Sequence, residues 1–293
     1  MKQTNKQTIA LNSIENKAGL SSSALVDSKA SMAVRNLQLN QINFKSSVEQ
    51  IDETKFIKEG QSIEHEFEGK ILKSKDLLPS IDYTIKALDL SLKNATTEEE
   101  EKEITSLKEI MQVGKDVALI PVKQNKSEKL SFLGVREDMR NERLLKSLAV
   151  CQAAAVSASA TAGSLAQTGV LDTAAVTTIQ GAMCAGIAAV YGIKNIKNVM
   201  TAVSGPAVLS VVGPQIAVKF ISWFPGFGNA ANAAVAYGTT TTLGVIFTGL
   251  MEITKERGLD IEQMTPEEIS KYAKEANANK DYIIDYWKTK QKK

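Results

Sequence analysis

The residues able to do chemistry are few in this chain, and their spacing favours no catalytic site. His65 is the single histidine and stands between two glutamates, in a charged stretch that predicts the surface of a helix. One histidine nearly rules out a histidine-rich metal site and a serine–histidine–aspartate triad. The carboxylate pairs Asp82 with Asp89 and Glu267 with Glu268 fall on solvated faces of predicted helices, which suits general acid–base catalysis poorly. The sequence therefore predicts a protein that is not an enzyme, with no catalytic, cofactor-binding or metal-ligating residue.

Two isolated charges, Asp172 and Lys219, stand in an otherwise apolar region. Asp172 directly precedes Thr173, and this placement predicts the N-cap of a helix that begins there. Inside a bilayer either charge would be costly and functional, and the two could also pair with each other. The sequence does not decide between these interpretations.

Charge density divides the chain into four regions and predicts an all-α fold, a helical bundle with Ala/Gly-rich apolar helical hairpins. Residues 1–45 form a flexible polar arm, which is either a disordered tail or a docking or export signal. Residues 46–125 are a charged helical region, and 126–255 an Ala/Gly-rich apolar helical module. Residues 256–293 form C-terminal helices with a basic tail. The net charge of +2 gives no reason to expect nucleic acid as a partner.

Helix starts are clearest at two capping boxes. Thr97 with Glu100, and Thr265 with Glu268, have the spacing in which each residue satisfies a backbone N–H of the other. Pro266 at the first helical position strengthens the second box.

The region between Lys146 and Glu252 contains only four charged residues. These divide it into charge-free blocks that each exceed the roughly 20 residues needed to span a bilayer as a helix: 147–171, 173–193, 198–218 and 220–251. The blocks are rich in Ala, Ser, Thr and Gly rather than Leu, Ile and Phe, so both a bundle core and a membrane segment fit them.

Small residues recur at every fourth position within these blocks. Such strips let two helix backbones approach closely, in membrane bundles and in soluble hairpins alike. The predicted packing positions are Gly181, Ala185, Ala189 and Gly192 in one strip and Ala230, Ala234 and Gly238 in the other.

Aromatic residues surround a predicted hairpin turn. The turn consists of Pro225, Gly226 and Gly228, with Asn229 as the cap of the following helix. The aromatic side chains at its apex are candidates for contact with a membrane interface, although they could equally close a soluble core: Trp223, Phe224 and Phe227.

The C-terminal segment places Tyr286 and Trp287 beside four lysines. Aromatic residues next to a basic tail suit a membrane interface with anionic headgroups. Alternatively, the aromatics dock on the domain while the lysines stay in water.

The apolar module resembles a known family over residues 145–255. The motif Ile187–Ile193, the turn Pro225–Gly228, then Asn232, Ala233, Ala236 and a Thr-x-x-x-Gly ending near Gly244, is similar to a helical domain of unassigned function. That domain lies at the C-terminus of some bacterial GTPases and in YcjF-type inner-membrane proteins. The resemblance implies an all-helical, membrane-associated module without catalytic residues. Because this chain lacks a Gly-x-x-x-x-Gly-Lys-Ser/Thr phosphate loop, any GTPase would be a separate partner.

Two further features bear on the cellular location. Cys151 and Cys184 both lie in apolar sequence, which predicts buried, reduced thiols. The first thirty residues contain no apolar core of a signal peptide. We therefore expect a cytoplasmic or inner-membrane-associated protein of a bacterium, or alternatively one exported without a classical signal peptide.

Three functional hypotheses follow from these patterns. The first is a non-enzymatic, membrane-associating helical protein that docks or inserts apolar hairpins in a bilayer and binds a protein partner. The second is an exported effector or pore-forming toxin that stays soluble until it inserts those hairpins. The third is a soluble helical scaffold. We expect membrane lipid as a partner, together with a protein partner that is either a separate GTPase or a secretion chaperone. The sequence also allows an oligomer, and no cofactor is expected.

Overall fold

The computed structural model describes residues 65–67, 70–121, 135–165, 173–193 and 228–291, and these are almost entirely helical. The predicted all-α class is confirmed for this part of the chain. The described residues belong to one unit, Asn43–Lys293, so the predicted regions beyond residue 45 share that unit, whereas the predicted arm lies outside the described residues. The helices are α1 (Leu78–Lys93), α2 (Glu98–Ala118), α3 (Val135–Leu165), α4 (Thr173–Val190), α5 (Gly228–Glu256), α6 (Pro266–Ala278) and α7 (Lys280–Gln291), with short 3-10 turns at Ser74–Leu77 and Ile261–Gln263.

Two short strands replace the helix predicted around His65. Strand β1 (His65–Phe67) pairs antiparallel with β2 (Lys70–Leu72), with His65 opposite Leu72. Only two residues, the second of them Gly69, separate the strands. A glycine in so short a connection favours a hairpin, because it accepts backbone conformations that other residues resist. The helix prediction was wrong here because the backbone pairing across the hairpin outweighed the helical signal of the charged stretch.

The capping boxes form locally, one complete and one altered. The Thr265 hydroxyl accepts from the backbone N–H of Glu268 at 3.3 Å, and the Glu268 carboxylate accepts from the Thr265 N–H at 2.9 Å. At α2 the Thr97 hydroxyl accepts from Glu100 as predicted, at 3.2 Å. The Glu100 carboxylate, however, accepts from the N–H of Thr96 rather than that of Thr97. Both helices therefore begin where the sequence indicated.

Helix α5 forms the centre of the bundle, and six other described helices contact it. Helices α1 and α2 cover its first half, α4 and α6 cover its second half, α7 adds contacts there, and α3 runs along its length. From residue 233 to residue 252 every side chain is buried. This placement follows from the sequence, since α5 has no charged residue before Glu252 to keep any face in water.

Helix α3 lies antiparallel to α5. Arg143, near the start of α3, bonds to Glu252 near the end of α5, and Ala158 further along α3 shares an apolar cluster with Ala236. The charged start of α3 and the charged end of α5 therefore lie at the same end of the bundle.

Helix α4 runs parallel to α5. The Gln180 amide bonds to Thr240 near the middle of α5, and Tyr191, just beyond the end of α4, bonds to Glu252. The charge-free stretches of α3, α4 and α5 therefore lie side by side, and each of these helices contacts the other two.

The backbones of α2 and α5 come closest at a pair of glycines. A Cβ added to Gly114 would lie 2.9 Å from the Cα of Gly238, closer than real Cβ atoms approach. Further along α5, a Cβ on Gly244 would overlap the sulfur of Cys151. Cys151 and Cys184 are both free and buried, as the sequence predicted.

We expect the substitution Gly114→Ala to destabilise the fold, although alanine in a helix is ordinarily favoured over glycine by about 1 kcal/mol. The new methyl group would meet the backbone of Gly238, which has no flexible side chain to move aside. Overpacking of this kind costs about 1–3 kcal/mol, measured as the free energy of unfolding in urea. Gln112→Ala, at an exposed position of the same helix, is the control and should stay within about 0.5 kcal/mol of the wild type. A Gly114→Ala variant as stable as the wild type would show that the two helices do not cross at this point.

Candidate functional site

The most unusual group in the bundle is the carboxylate of Glu252, which is only 3% exposed. One of its oxygens accepts hydrogen bonds from Nε of Arg140 and Nη2 of Arg143, each at 3.2 Å. The other accepts from the hydroxyl of Tyr191 at 2.7 Å. We call these four residues the Glu252 cluster. It joins α3, the end of α4 and α5 at a single point.

Local helix geometry brings these side chains together. Arg140 and Arg143 are three residues apart on α3, so they lie on the same face of that helix. Tyr191 is held by the turn that ends α4, where the N–H of Ile193 donates to the carbonyl of Ala188 and Gly192 adopts a φ of +78°. This is a glycine-dependent helix C-cap. Gly192 was predicted as a helix-packing residue; it instead lies exposed beyond the helix, because its positive φ ends α4.

Tyr191 keeps its phenolic proton within the Glu252 cluster. Burial, and secondarily the adjacent Glu252 charge, raise the pKa of Tyr191 well above its ordinary value of 10.0, and the nearby Arg143 only partly opposes this. Tyr191 therefore remains a hydrogen-bond donor to the carboxylate. Its ring also lies under the Arg143 guanidinium, with 5.4 Å between the guanidinium carbon and the ring centroid, a cation–π contact.

Arg140 extends the cluster to the surface and to α7. Its Nη2 pairs with a carboxylate oxygen of Glu256 at 2.7 Å and donates to the hydroxyl of Tyr282 at 3.0 Å. Its guanidinium carbon lies 5.7 Å from the ring centroid of Tyr282 and 5.5 Å from that of Tyr286. Arg140 is therefore the link between the buried carboxylate and the exposed end of the bundle.

The hydrogen bonds of this arrangement hold α3, the end of α4 and α5 to one another. Both carboxylate oxygens already accept hydrogen bonds from cationic or hydroxyl donors, so Glu252 is engaged as an acceptor and is poorly placed to act as a base. Removing one partner from a buried ion pair costs about 3–5 kcal/mol, because an uncompensated charge remains. In the described part of the chain, no group of three or more His, Cys, Asp or Glu residues is placed to hold a metal ion.

The structure buries Trp287, one of the two aromatic residues that the sequence placed at a membrane interface. Its side chain is 0% exposed, and its Nε1 donates to the backbone carbonyl of Leu144 at 2.8 Å. It packs with Val113 and Ile283 in an apolar cluster between α2, α3 and α7. In this conformation Trp287 docks on the bundle, which is the alternative that the sequence left open, and contact of Trp287 with a membrane stays a prediction. Tyr286 is half-buried beside Arg140.

The remaining predicted site residues differ in their burial, and several of them lie outside the described residues. Gly181, Ala185, Ala234 and Gly238 are buried in helix contacts, Ala189 is half-buried, and Ala230 is exposed near the start of α5. Helix α5 begins at Gly228, so Asn229 lies inside the helix rather than at its cap. The others lie outside the described residues: Asp172, Lys219, Trp223, Phe224, Pro225, Gly226 and Phe227.

Comparison of the chain with protein-family models, with curated proteins and with solved structures gives no match. The resemblance to the helical domain of bacterial GTPases and YcjF-type proteins stays a prediction. The candidate site therefore depends on its geometry alone.

Sequence reasoning missed the Glu252 cluster, although part of its signal was visible. The placement of Arg140 and Arg143 on one side of a helix, directly before a charge-free block, was apparent. Their common partner is more than 100 residues away along the chain, and no local pattern connects the two ends.

We expect Tyr191→Phe to lower the free energy of unfolding by about 1.5–3 kcal/mol, because it removes a hydrogen bond to a buried charged group. Tyr282→Phe removes a hydroxyl from the exposed edge of the same cluster and should cost no more than about 0.5 kcal/mol. Equal losses for the two variants in urea unfolding would contradict the assignment of Glu252 as the centre of the cluster.

The difference in the free energy of unfolding between the wild type and Tyr191→Phe should decrease as the pH rises. Tyr191 has a raised pKa in the folded state, so its contribution is complete below the ordinary value of 10.0 and declines as the pH rises above it. The unfolded wild-type chain then loses the tyrosine proton while the folded chain keeps it. Urea unfolding at neutral pH and above pH 10.0 should show the gap narrowing; a gap that widens would show that Tyr191 ionises more readily when folded.

Proposed function

We propose that this chain is a non-enzymatic, membrane-associating helical protein whose folded bundle shields apolar helices that it can transfer to a bilayer. The single observation that carries this proposal is the group of three mutually contacting helices α3, α4 and α5. Their charge-free stretches lie side by side, and the charges that limit α3 and α5 lie together at one end. Helices arranged in this way could place their apolar stretches in the hydrocarbon region while their charges stay at the headgroups.

The length of the apolar helices matches a bilayer. Met139–Gly163 and Ala230–Glu256 are each long and apolar enough to cross a membrane, judged by length and composition alone. The second spans about 40 Å at 1.5 Å per residue, against a hydrocarbon thickness of about 30 Å. Core helices of soluble proteins pass the same test, and the apolar stretch of the second helix is entirely buried here.

Several hydroxyl groups of α5 are satisfied within the helix itself. Thr239 donates to the carbonyl of Val235 at 2.9 Å, and Thr241 donates to that of Tyr237 at 2.7 Å. Thr254 likewise donates to the carbonyl four residues before it, at 3.0 Å. These bonds do not depend on neighbouring helices, so moving α5 from the bundle to lipid would leave them intact. This lowers the barrier that buried polar groups would otherwise impose.

Burial of α5 from residue 233 to residue 252 favours a protein that is stable in water before it meets a membrane. That condition is the one required of an exported effector or pore-forming toxin, which we keep as the finer form of the proposal. The same burial favours a soluble helical scaffold as the second candidate. A separate GTPase or a secretion chaperone stays the predicted protein partner.

Liposome flotation of the purified chain in high salt tests the proposal, with release of an encapsulated dye measured in parallel. Salt screens the lysine tail, so association that survives must come from apolar contact. We expect flotation, and dye release if the helices insert. A stable protein that neither floats nor releases dye would contradict the proposal and favour the scaffold.

A reversible cross-link tests whether α5 must leave the bundle. A Cβ at Gly249 of α5 lies 3.1 Å from the Cβ of Ala276 in α6, and a small outward shift would reach the 3.5–4.5 Å of a disulfide. We expect the oxidised Gly249→Cys/Ala276→Cys variant to lose dye release and to regain it on reduction. Each single variant, which carries the same native cysteines, is the control and should not respond to reductant. Equal release in the oxidised and reduced double variant would show that α5 stays with α6.

A further inference from the structure

We propose that Arg140 and Arg143 form a binding site for the phosphate group of an anionic lipid headgroup, which the carboxylates of Glu252 and Glu256 occupy in the folded bundle. The inference deepens the proposed function and rests on it, because it names the lipid class that the charged end of the bundle would meet. Nothing in the membrane association itself requires these two arginines.

The position of the pair supports this assignment. Arg143 precedes the charge-free stretch of α3 by about one turn and Arg140 by about two, and Lys146 follows them on the same helix. Glu252 ends the charge-free stretch of α5 at the same level. If the charge-free stretches of α3, α4 and α5 enter a bilayer, this end of the bundle stays at the headgroups. Basic residues at that level are attracted to anionic lipid.

The donors of the pair suit a phosphate group. A guanidinium presents N–H groups in a planar fork that matches the oxygens of phosphate as well as those of carboxylate. The Nε of Arg143 is buried and has no hydrogen-bond partner among the described residues, so one donor of the pair is not used by Glu252. Tyr282, which is 54% exposed, and the half-buried Tyr286 flank Arg140 with amphipathic rings of the kind enriched at membrane interfaces.

The carboxylates differ in how easily an anion could replace them. Glu252 is almost completely buried, whereas the side chain of Glu256 is 51% exposed and reaches Arg140 from the surface. Arg140 itself is 26% exposed, so a headgroup that approaches it from the surface would compete with Glu256 before it reaches Glu252. Asp281 and Asp285 on α7 are exposed and oppose an anion, and Lys290, over the ring of Tyr286, favours one. One anion replaces another at the site, so the driving force is the high local concentration of phosphate at an anionic surface.

The experiment measures binding of the full chain, in low salt, to vesicles of phosphatidylcholine and to vesicles that also contain phosphatidylglycerol. We expect tighter binding to the anionic vesicles. The variant Arg140→Gln/Arg143→Gln/Glu252→Gln neutralises the cluster without leaving a buried carboxylate unpaired, and it should lose about ten-fold of that preference. Glu256→Gln removes the competing surface carboxylate and should strengthen anionic binding a few-fold.

Arg257→Gln is the matched control. Arg257 lies at the same end of the bundle, pairs with Glu275, and its replacement lowers the net charge by one, as the triple variant does. Bulk electrostatics would therefore weaken both variants equally, whereas a specific site weakens only the triple variant. Equal losses in the two, or a triple variant that keeps its anionic preference while circular dichroism shows it folded, would overturn the proposal.

Three further outcomes separate this inference from its alternatives. A wild type that binds inorganic phosphate but shows no preference for anionic vesicles would overturn the lipid assignment in favour of free phosphate. High-salt flotation without any anionic preference in low salt would overturn the inference and leave the proposed function standing. Anionic binding in low salt without high-salt flotation would overturn the proposed function and leave the inference standing.

Discussion

The bundle depends on removing α5 from water on every side. This helix has no charged residue before Glu252, and no face of it could remain solvated at a low free-energy cost. Its neighbours are arranged to meet that need: α1 and α2 cover the first half, α4, α6 and α7 the second, and α3 the whole length. Small residues make the arrangement possible, because Gly238 lets α2 approach to backbone distance and Gly244 leaves room for the side chain of Cys151. Dispersion contacts and buried area therefore replace the large aromatic side chains that are scarce in this chain.

Polar groups at a few points decide which of many similar helix contacts is adopted. An Ala-rich surface could slide by one turn against another at little cost. The Glu252 cluster opposes such a shift, because a displaced α3 or α5 would leave a charge buried without its partner. Gln152 acts in the same way, since its buried amide donates at 2.8 Å to the backbone carbonyls of Val117 and Ile120 at the end of α2. The hydrogen bond from Trp287 fixes α7 against α3.

The small-residue contacts and the few buried polar groups also give the proposed function its physical basis. A bundle held by small-residue contacts and a few polar points has apolar helices that need little internal change to enter lipid. The hydroxyls of Thr239 and Thr241 carry their hydrogen bonds with them. The polar points lie largely at one end, where headgroups and water could take over the hydrogen bonds that the bundle now provides.

The sequence by itself determined what depends on short separations along the chain. It indicated helix starts at Thr97 and Thr265, free buried thiols at Cys151 and Cys184, and a charge-free region that had to be shielded from water, because caps, periodicity and charge act within a few residues. The hairpin at His65 and the C-cap at Gly192 are also local, and a glycine marks each of them, but the helix prediction overrode these signals. Only the tertiary structure decided the burial of Trp287 and the convergence of two arginines on Glu252, because both depend on which segments meet in space. Ala-rich helices offer many nearly equivalent partners, so that choice is set by the packing of the whole bundle and leaves no local pattern in the sequence.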